Sequence, residues 1–216
     1  AGRFGVTRIK ADGNEDLAFG YEGVAEGGFL SATVTSLAVQ HDGKIVMAGG
    51  ADLRSTPGGD TGRVFAMARF NVNGSMDAGF GTGGFVNTKF SSADVLAAVL
   101  LDDGRILAVG RDVRPDGNFV VAARYEIDGT LDKSFATEGK LALPFFVADQ
   151  GQLEAISVAP NGDFVAAGRA VDGAKGGPAG LALARYRSDG SPDEGFGIGG
   201  RRSEEHTSEL QSLAYL

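Results

Sequence analysis

The stretch from Arg69 to Gly84 reads R-F-N-V-N-G-S-M-D-A-G-F-G-T-G-G, and this pattern occurs four times in the chain. The other copies begin at Arg8 (R-I-K-A-D-G-N-E-D-L-A-F-G-Y-E-G), Arg124 (R-Y-E-I-D-G-T-L-D-K-S-F-A-T-E-G) and Arg185 (R-Y-R-S-D-G-S-P-D-E-G-F-G-I-G-G). The steps between the arginines are 61, 55 and 61 residues. A period of this length with a fixed motif indicates a repeat architecture, in which each unit buries its apolar face against the next.

A second motif, in which two apolar runs flank a turn dipeptide, lies between these copies. It reads S-L-A-V-Q-H-D-G-K-I-V-M-A-G from Ser36, A-A-V-L-L-D-D-G-R-I-L-A-V-G from Ala97 and A-I-S-V-A-P-N-G-D-F-V-A-A-G from Ala155. Asp-Gly or Asn-Gly in this setting predicts a β-hairpin with a type I′ turn, whose two central residues both have positive φ. The predicted turn residues are Asp42, Gly43, Asp103, Gly104, Asn161 and Gly162.

Each repeat therefore contains four predicted strands, a to d. In the middle repeat they are Phe85–Phe90, Val95–Leu101, Arg105–Arg111 and Asn118–Ile127. Four antiparallel strands in a unit of 55–61 residues are typical of a β-propeller blade, whereas the coils of a β-solenoid are shorter. A ring of six to eight such units needs roughly 350–480 residues. We therefore predict an all-β, open partial propeller of about three blades plus one strand.

The sequence predicts five segments. Residues 1–23 are the end of a truncated blade, residues 24–84, 85–139 and 140–200 are three repeats, and residues 201–216 are a non-native or disordered tail. From Arg202 to Ser212 the tail reads R-S-E-E-H-T-S-E-L-Q-S and resembles the in-frame translation of a sequencing-library adapter. On that interpretation the chain is a metagenomic fragment, and residues 202–216 pack against nothing. A natural polar tail is the alternative.

Composition limits the classes of partner. The chain has 35 glycines, no cysteine, 43% apolar residues and a net charge of −8. The apolar content is sufficient for a core. The negative charge argues against nucleic acid or an anionic membrane surface as a partner, and no apolar run is long enough for a membrane-spanning helix. The absence of cysteine excludes disulfides and thiolate metal sites.

The two motifs together resemble the bacterial delta-60 repeat family. The matching features are the D-G-K-I-V-x-A-G hairpin and the segment A-R-Y/F-x-x-D-G-x-x-D-x-x-F-G-x-x-G that follows it, over about residues 3–200. Asn73, Ala136 and the Asn161-Gly162-Asp163 turn depart from this pattern. The resemblance implies a propeller-like array from a large bacterial protein, secreted or exposed at the cell surface, and it supplies no catalytic residues.

The paired aspartates in the repeat are candidates for a calcium site, because Ca²⁺ prefers six to eight oxygen ligands. In the structural alternative, the first Asp accepts hydrogen bonds from its own turn and the second pairs with the repeat's arginine. The spacing also lacks an alternating D-x-D-x-D pattern, which counts against calcium. The sequence therefore predicts no cofactor and leaves calcium at these aspartates as the alternative. The candidates are Asp12, Asp16, Asp128, Asp132, Asp189 and Asp193.

Two further sets of repeated residues favour structural roles. An arginine that recurs once per blade indicates an ion pair or a clamp on carbonyl groups, with a substrate-binding ring as the alternative. The repeated phenylalanines are predicted to be wedges between successive blades. The two sets are Arg69, Arg124 and Arg185, and Phe19, Phe80, Phe135 and Phe196.

Two classes of function remain open. The first is a non-catalytic binding or structural scaffold in a larger extracellular or cell-surface protein, with neighbouring blades and a protein or glycan ligand as partners. The second is a fragment of a lactonase-like or quinoprotein-like propeller enzyme whose active site lies in other blades. The a–b and c–d connections differ between repeats, whereas the b–c turns and d–a segments recur. Since binding commonly resides in variable loops, we expect recognition on the a–b and c–d rim, with surface loops that bind nothing as the alternative.

Overall fold

The computed structural model describes residues 3–29, 31–52, 62–145, 152–170 and 180–204. These residues form β-strands and turns without any helix, and hence no helix among them could span a membrane. The strands in this part of the chain are β1 (Phe4–Thr7), β2 (Val24–Gly27), β3 (Ala32–Val39), β4 (Ile45–Asp52), β5 (Arg63–Phe70), β6 (Phe85–Thr88), β7 (Ala93–Leu100), β8 (Ile106–Arg114), β9 (Gly117–Tyr125), β10 (Lys140–Pro144), β11 (Gln152–Val158), β12 (Phe164–Ala170), β13 (Gly180–Tyr186) and β14 (Arg201–Glu204).

The strands form three four-stranded antiparallel sheets, preceded by a two-stranded sheet. Their orders are β1-β2, β3-β4-β5-β6, β7-β8-β9-β10 and β11-β12-β13-β14. The predicted strands of the middle repeat are present as β6 to β9. The fold is an open partial β-propeller, as the sequence predicted.

The predicted grouping of strands into blades is corrected by the sheet order. The sequence units begin with strand a, but each sheet runs b-c-d-a, so that strand a pairs with the strand d that precedes it. In the first complete sheet, for example, Phe65 pairs with Thr88 and Ala68 pairs with Phe85. The periodic sequence is the same whether a unit is counted as a-b-c-d or as b-c-d-a. The repeat pattern therefore does not show which strand comes first in a sheet. The D-x-x-F-G-x-x-G segment therefore closes a hairpin inside one sheet, and the a–b connection crosses between sheets.

The hairpin turns are present, but their predicted type is wrong. Of the two central residues only the glycine has positive φ, which is +81° at Gly43, and Asp42 does not. The Gly43 N–H donates to the Gln40 carbonyl at 2.8 Å, and the Asp42 carboxylate accepts from the Lys44 N–H at 3.1 Å. This is a type I turn followed by a left-handed glycine, and the side chain of the aspartate stabilises it. The other two hairpins repeat this geometry at Gly104 (φ +86°) and Gly162 (φ +86°).

Each core lies between two successive sheets. The second core, for instance, combines Val46 and Phe65 of one sheet with Val95 and Val121 of the next. The first strands of the sheets, β3, β7 and β11, contact one another in sequence, which places them on the inner side of the array. Each of these strands contains a β-bulge near its start.

The prediction for the tail is wrong at its first residues. Arg201–Glu204 forms β14, and Arg202 and Ser203 pair with Leu183 and Ala182 of β13. These residues occupy the position of strand a, directly after the Gly-rich segment, where pairing uses backbone groups of any sequence. Residues 205–216 lie outside the described part of the chain.

Candidate functional site

The repeated arginine forms an ion pair with the aspartate eight residues later. Arg69 Nε lies 2.7 Å from Asp77 Oδ2, and Arg124 Nε lies 2.6 Å from Asp132 Oδ2. The Asp77 N–H donates in turn to the Arg69 carbonyl at 2.9 Å, which closes the loop between them. The same pair forms in the first and last copies, Arg8–Asp16 and Arg185–Asp193.

The guanidinium group also reaches the following unit. Arg8 Nη1 donates to the Val72 carbonyl at 2.6 Å, Arg69 Nη1 to Ile127 at 2.5 Å, and Arg124 Nη1 to Ser188 at 2.8 Å. Each acceptor is the residue directly before the Asp or Asn of the next turn. One side chain therefore connects two blades.

The repeated phenylalanine completes this connection. Phe19, Phe80 and Phe135 are fully buried, and each packs against the turn glycine of the next unit, respectively Gly74, Gly129 and Gly190. The residue after each Phe donates its N–H to a carbonyl of the same turn: Gly20 to Asn73, Gly81 to Asp128, and Ala136 to Asp189.

The arginine lies over the phenylalanine ring in all four copies, at 4.5–4.9 Å from the ring centroid. We call the Arg, its Asp partner, the Phe and the residue after it the donor half of a blade clasp. The next unit's turn, with its two carbonyls and its glycine, is the receiver half. The arginine thus forms an ion pair with the aspartate and binds a carbonyl of the next blade, and the phenylalanine packs between the two blades.

The electrostatics of the clasp are clearest at Asp132, which is almost fully buried. Burial acts to raise the pKa of Asp132. Hydrogen bonds from Ser134, Arg124 and Arg105 outweigh burial and hold the pKa well below its usual range. The carboxylate therefore stays ionised, and two guanidinium groups compensate its charge.

The first aspartate of each candidate calcium pair is occupied by its own turn. Asp12 accepts from the Asn14 N–H at 2.9 Å, Asp128 from the Thr130 N–H at 2.9 Å, and Asp189 from the Ser191 N–H at 2.8 Å. Hydrogen bonds from the hydroxyls of Thr130 and Ser191, together with these N–H groups, lower the pKa of the Asp128 and Asp189 carboxyls. The structure does not bring the pairs together into one site. Across the described residues, no three His, Asp or Glu side chains are grouped so that they could hold a metal ion.

The predicted recognition rim is only partly described. The c–d connections at residues 53–61 and 171–179 and the a–b connection at residues 146–151 lie outside the described residues. At the remaining connections, the buried Asp112 accepts from the N–H groups of Ser91 and Ser92 at 3.1 and 2.5 Å. Arg114 Nε lies 2.6 Å from Asp112 and its guanidinium stacks on Phe119.

Other ion pairs at the same rim were missed by the sequence analysis. Arg63 Nε lies 2.6 Å from Asp94 of the next sheet, and Arg63 also donates to Thr33 Oγ1. Glu154 and Arg169 pair at the corresponding end of the last complete sheet, at 3.1 Å. None of these pairs recurs at matching positions of the other repeats, so the repeat pattern gives no signal for them.

Comparison with known families agrees with the observed fold. Residues 40–80 and 159–196 match the family described as "Domain of unknown function (DUF5122) beta-propeller". Both segments contain one b–c turn and one arginine-to-phenylalanine motif, so the matched parts carry the turn and the Arg, Asp and Phe of the clasp. No curated protein matches the chain. The chain is thus similar to a β-propeller-like repeat family.

Proposed function

We propose that the chain is a non-catalytic repeat module of a larger bacterial protein, secreted or exposed at the cell surface, that acts as a binding or structural scaffold. We further propose that neighbouring blades complete the array, and that a protein or glycan ligand binds the a–b and c–d rim. The net charge of −8 favours a partner other than nucleic acid.

One observation carries this proposal: the ion pair that recurs in every unit lies at one of the two rims and serves packing there. At the rim of the b–c and d–a turns, Arg69, Asp77 and their equivalents recur in every unit and bind one another or the next blade. At the opposite rim the pairs Arg63–Asp94 and Asp112–Arg114 occur once each. A recurring group supports packing, whereas a group that occurs once is free to serve recognition.

The same observation favours a scaffold over an enzyme. A catalytic site needs a set of residues that breaks the symmetry of the repeat. The aspartates with lowered pKa values, such as Asp77 and Asp132, are held instead by arginines of the repeated clasp.

The test compares two loop variants on a glycan array and on an array of extracellular matrix proteins. The first variant replaces residues 53–60 and 173–177 with Gly-Ser linkers of equal length, and Asp42→Asn on the opposite rim is its control. We expect binding that the linkers abolish and that Asp42→Asn retains. Binding that survives the linkers would overturn the choice of rim, and a chain that binds neither array would overturn recognition. Hydrolysis of a lactone panel would overturn the non-catalytic assignment.

A further inference from the structure

A cleft opens at the outer edge of the array, where the sheet β3-β4-β5-β6 packs on the sheet β7-β8-β9-β10. Its volume is about 610 Å³, which lies within the range of roughly 300–1,000 Å³ that is typical of small-molecule sites. The last strands of the two sheets, β6 and β10, contribute its walls, and Tyr125 of β9 lies at its base. Both sheets have all four strands, so the cleft does not depend on where the chain begins or ends.

Two buried hydroxyls at the base of this cleft leave one proton without an acceptor. Tyr125 Oη and Thr88 Oγ1 lie 2.7 Å apart, and both residues are almost fully buried. Their shared hydrogen bond uses the proton of one hydroxyl, and neither side chain has a second hydrogen bond to the described residues. Burial raises the pKa of the Tyr125 hydroxyl, so it stays protonated. Since a buried donor without an acceptor is unfavourable, the remaining proton favours an oxygen atom in the cleft.

The walls of the cleft are positively charged, although the chain as a whole has a net charge of −8. Lys89 and Lys140 line the cleft, and none of the described residues that line it is acidic. Lys140 is half-buried, and its Nζ lies 5.8 Å from the centroid of the Phe90 ring. Lys140 forms no ion pair within the described part of the chain, so its charge is available to an anion in the cleft.

The cleft at the preceding joint has the same position but none of these groups. Its volume is similar, about 660 Å³, and equivalent segments line it. The positions of Tyr125, Thr88 and Lys140 are occupied there by Phe70, Gly27 and Phe85. Its charged lining residues are Glu22 and Glu26, both of which are acidic. The packing of two blades therefore produces the cleft, whereas the hydroxyl pair and the lysines are not required by that packing.

We propose that the cleft between β6 and β10 binds a small organic anion. Its carboxylate or phosphate oxygens accept hydrogen bonds from Lys140 Nζ and from the remaining hydroxyl proton of the Tyr125–Thr88 pair. Hydrogen bonds between an ammonium group and an oxyanion are among the stronger ones in proteins. Phe85 and Val86 also line the cleft and offer apolar contact to the carbon skeleton of the ligand. This site lies at the outer edge of the array, and the inference does not depend on the proposed function.

Isothermal titration calorimetry on the full chain tests this site. Glucuronate is the carboxylate probe, glucose 6-phosphate is the phosphate probe, and glucose is the uncharged control. Lys140→Gln removes the cation of the cleft. Lys133→Gln is the matched control, because it makes the same change of charge on the segment before β10, at a side chain that is 79% exposed and outside the cleft. The double variant Tyr125→Phe with Thr88→Val removes both hydroxyls, and circular dichroism checks the folding of each variant.

We expect the parent chain to bind at least one of the two anions at a single site and not to bind glucose. Lys140→Gln should weaken this binding about tenfold or more, since it removes a hydrogen bond from a charged donor, and Lys133→Gln should bind like the parent. The double variant, where folded, should also bind more weakly. Binding of only one anion would support the proposal and identify the oxyanion. A parent chain that binds neither anion, or that binds glucose equally well, would overturn it. So would equal affinities for Lys140→Gln and Lys133→Gln.

Discussion

Truncation of the clasp phenylalanine should cost far more inside the array than at its end. Phe80 is fully buried between two sheets and lies under the Arg69 guanidinium, whereas Phe196 is partly exposed and has no blade beyond it in the described residues. Phe→Ala in a core costs about 3–5 kcal/mol, since it removes buried area and leaves a cavity. At Phe196 solvent already reaches the ring, so we expect a loss of about 1–2 kcal/mol.

Urea unfolding followed by circular dichroism measures this difference. With a denaturant slope of about 2 kcal/mol per molar urea, the midpoint of Phe80→Ala should fall by about 2 M, and that of Phe196→Ala by less than about 1 M. Repeat arrays can unfold in steps, so the tyrosine fluorescence must show the same transition as the backbone signal. Equal losses of unfolding free energy for Phe80→Ala and Phe196→Ala would refute the argument that the following blade buries the phenylalanine ring.

Three further perturbations test the joints between units. The pKa of Asp132 is lower in the folded chain than in the unfolded chain, so its carboxylate stabilises the fold above about pH 4 and this stabilisation is lost as the pH falls. Asp132→Asn should therefore flatten the decrease in the free energy of unfolding between about pH 5 and pH 2. An unchanged pH profile would contradict the ion pair. Gly74→Asn should destabilise the chain by about 2 kcal/mol or more, and Gly13→Asn by less than about 0.5 kcal/mol, because only a Cβ at position 74 meets the preceding unit. Equal shifts in melting temperature for the two variants would contradict this. Tyr125→Phe should cost about 1–2 kcal/mol, because it leaves the buried Thr88 hydroxyl without its 2.7 Å partner, and combining it with Thr88→Val should recover part of that loss in chemical denaturation.

The sequence could predict the strands but not their grouping. Alternating turn dipeptides and apolar runs located β6 to β9, because each strand is bounded by local signals. Whether strand a belongs to the sheet before it or after it depends on pairing between distant residues, as between Phe65 and Thr88. Local patterns contain no information about that choice. The turn type was mispredicted for a related reason, since Asp-Gly suits both a type I′ turn and a type I turn followed by a glycine.

The contacts of the candidate site could likewise be predicted from the sequence only in part. The arginine–aspartate spacing of eight residues is visible in the sequence, and it suggested the ion pair that Arg124 and Asp132 form. The carbonyl that Arg124 also binds belongs to Ser188, 64 residues away, and only the packing of two blades brings them together. Asp112 could not be identified at all, because Ser91, Ser92 and Arg114 surround it in one repeat alone.

The clasp also explains why conspicuous charge in this chain is a poor guide to chemistry. An arginine that must satisfy a carboxylate of its own unit and a carbonyl of the next needs a planar group with several donors, which lysine does not supply. The aspartate that pairs with it stays ionised while nearly buried, because the hydrogen bonds that it accepts at the joint outweigh burial and lower the pKa of Asp77 and Asp132. Because every joint imposes the same requirement, these residues recur whatever the protein binds. We therefore expect information about function where the repeat fails, as it does in the described residues at the pairs Arg63–Asp94 and Asp112–Arg114 on the rim of the a–b and c–d connections.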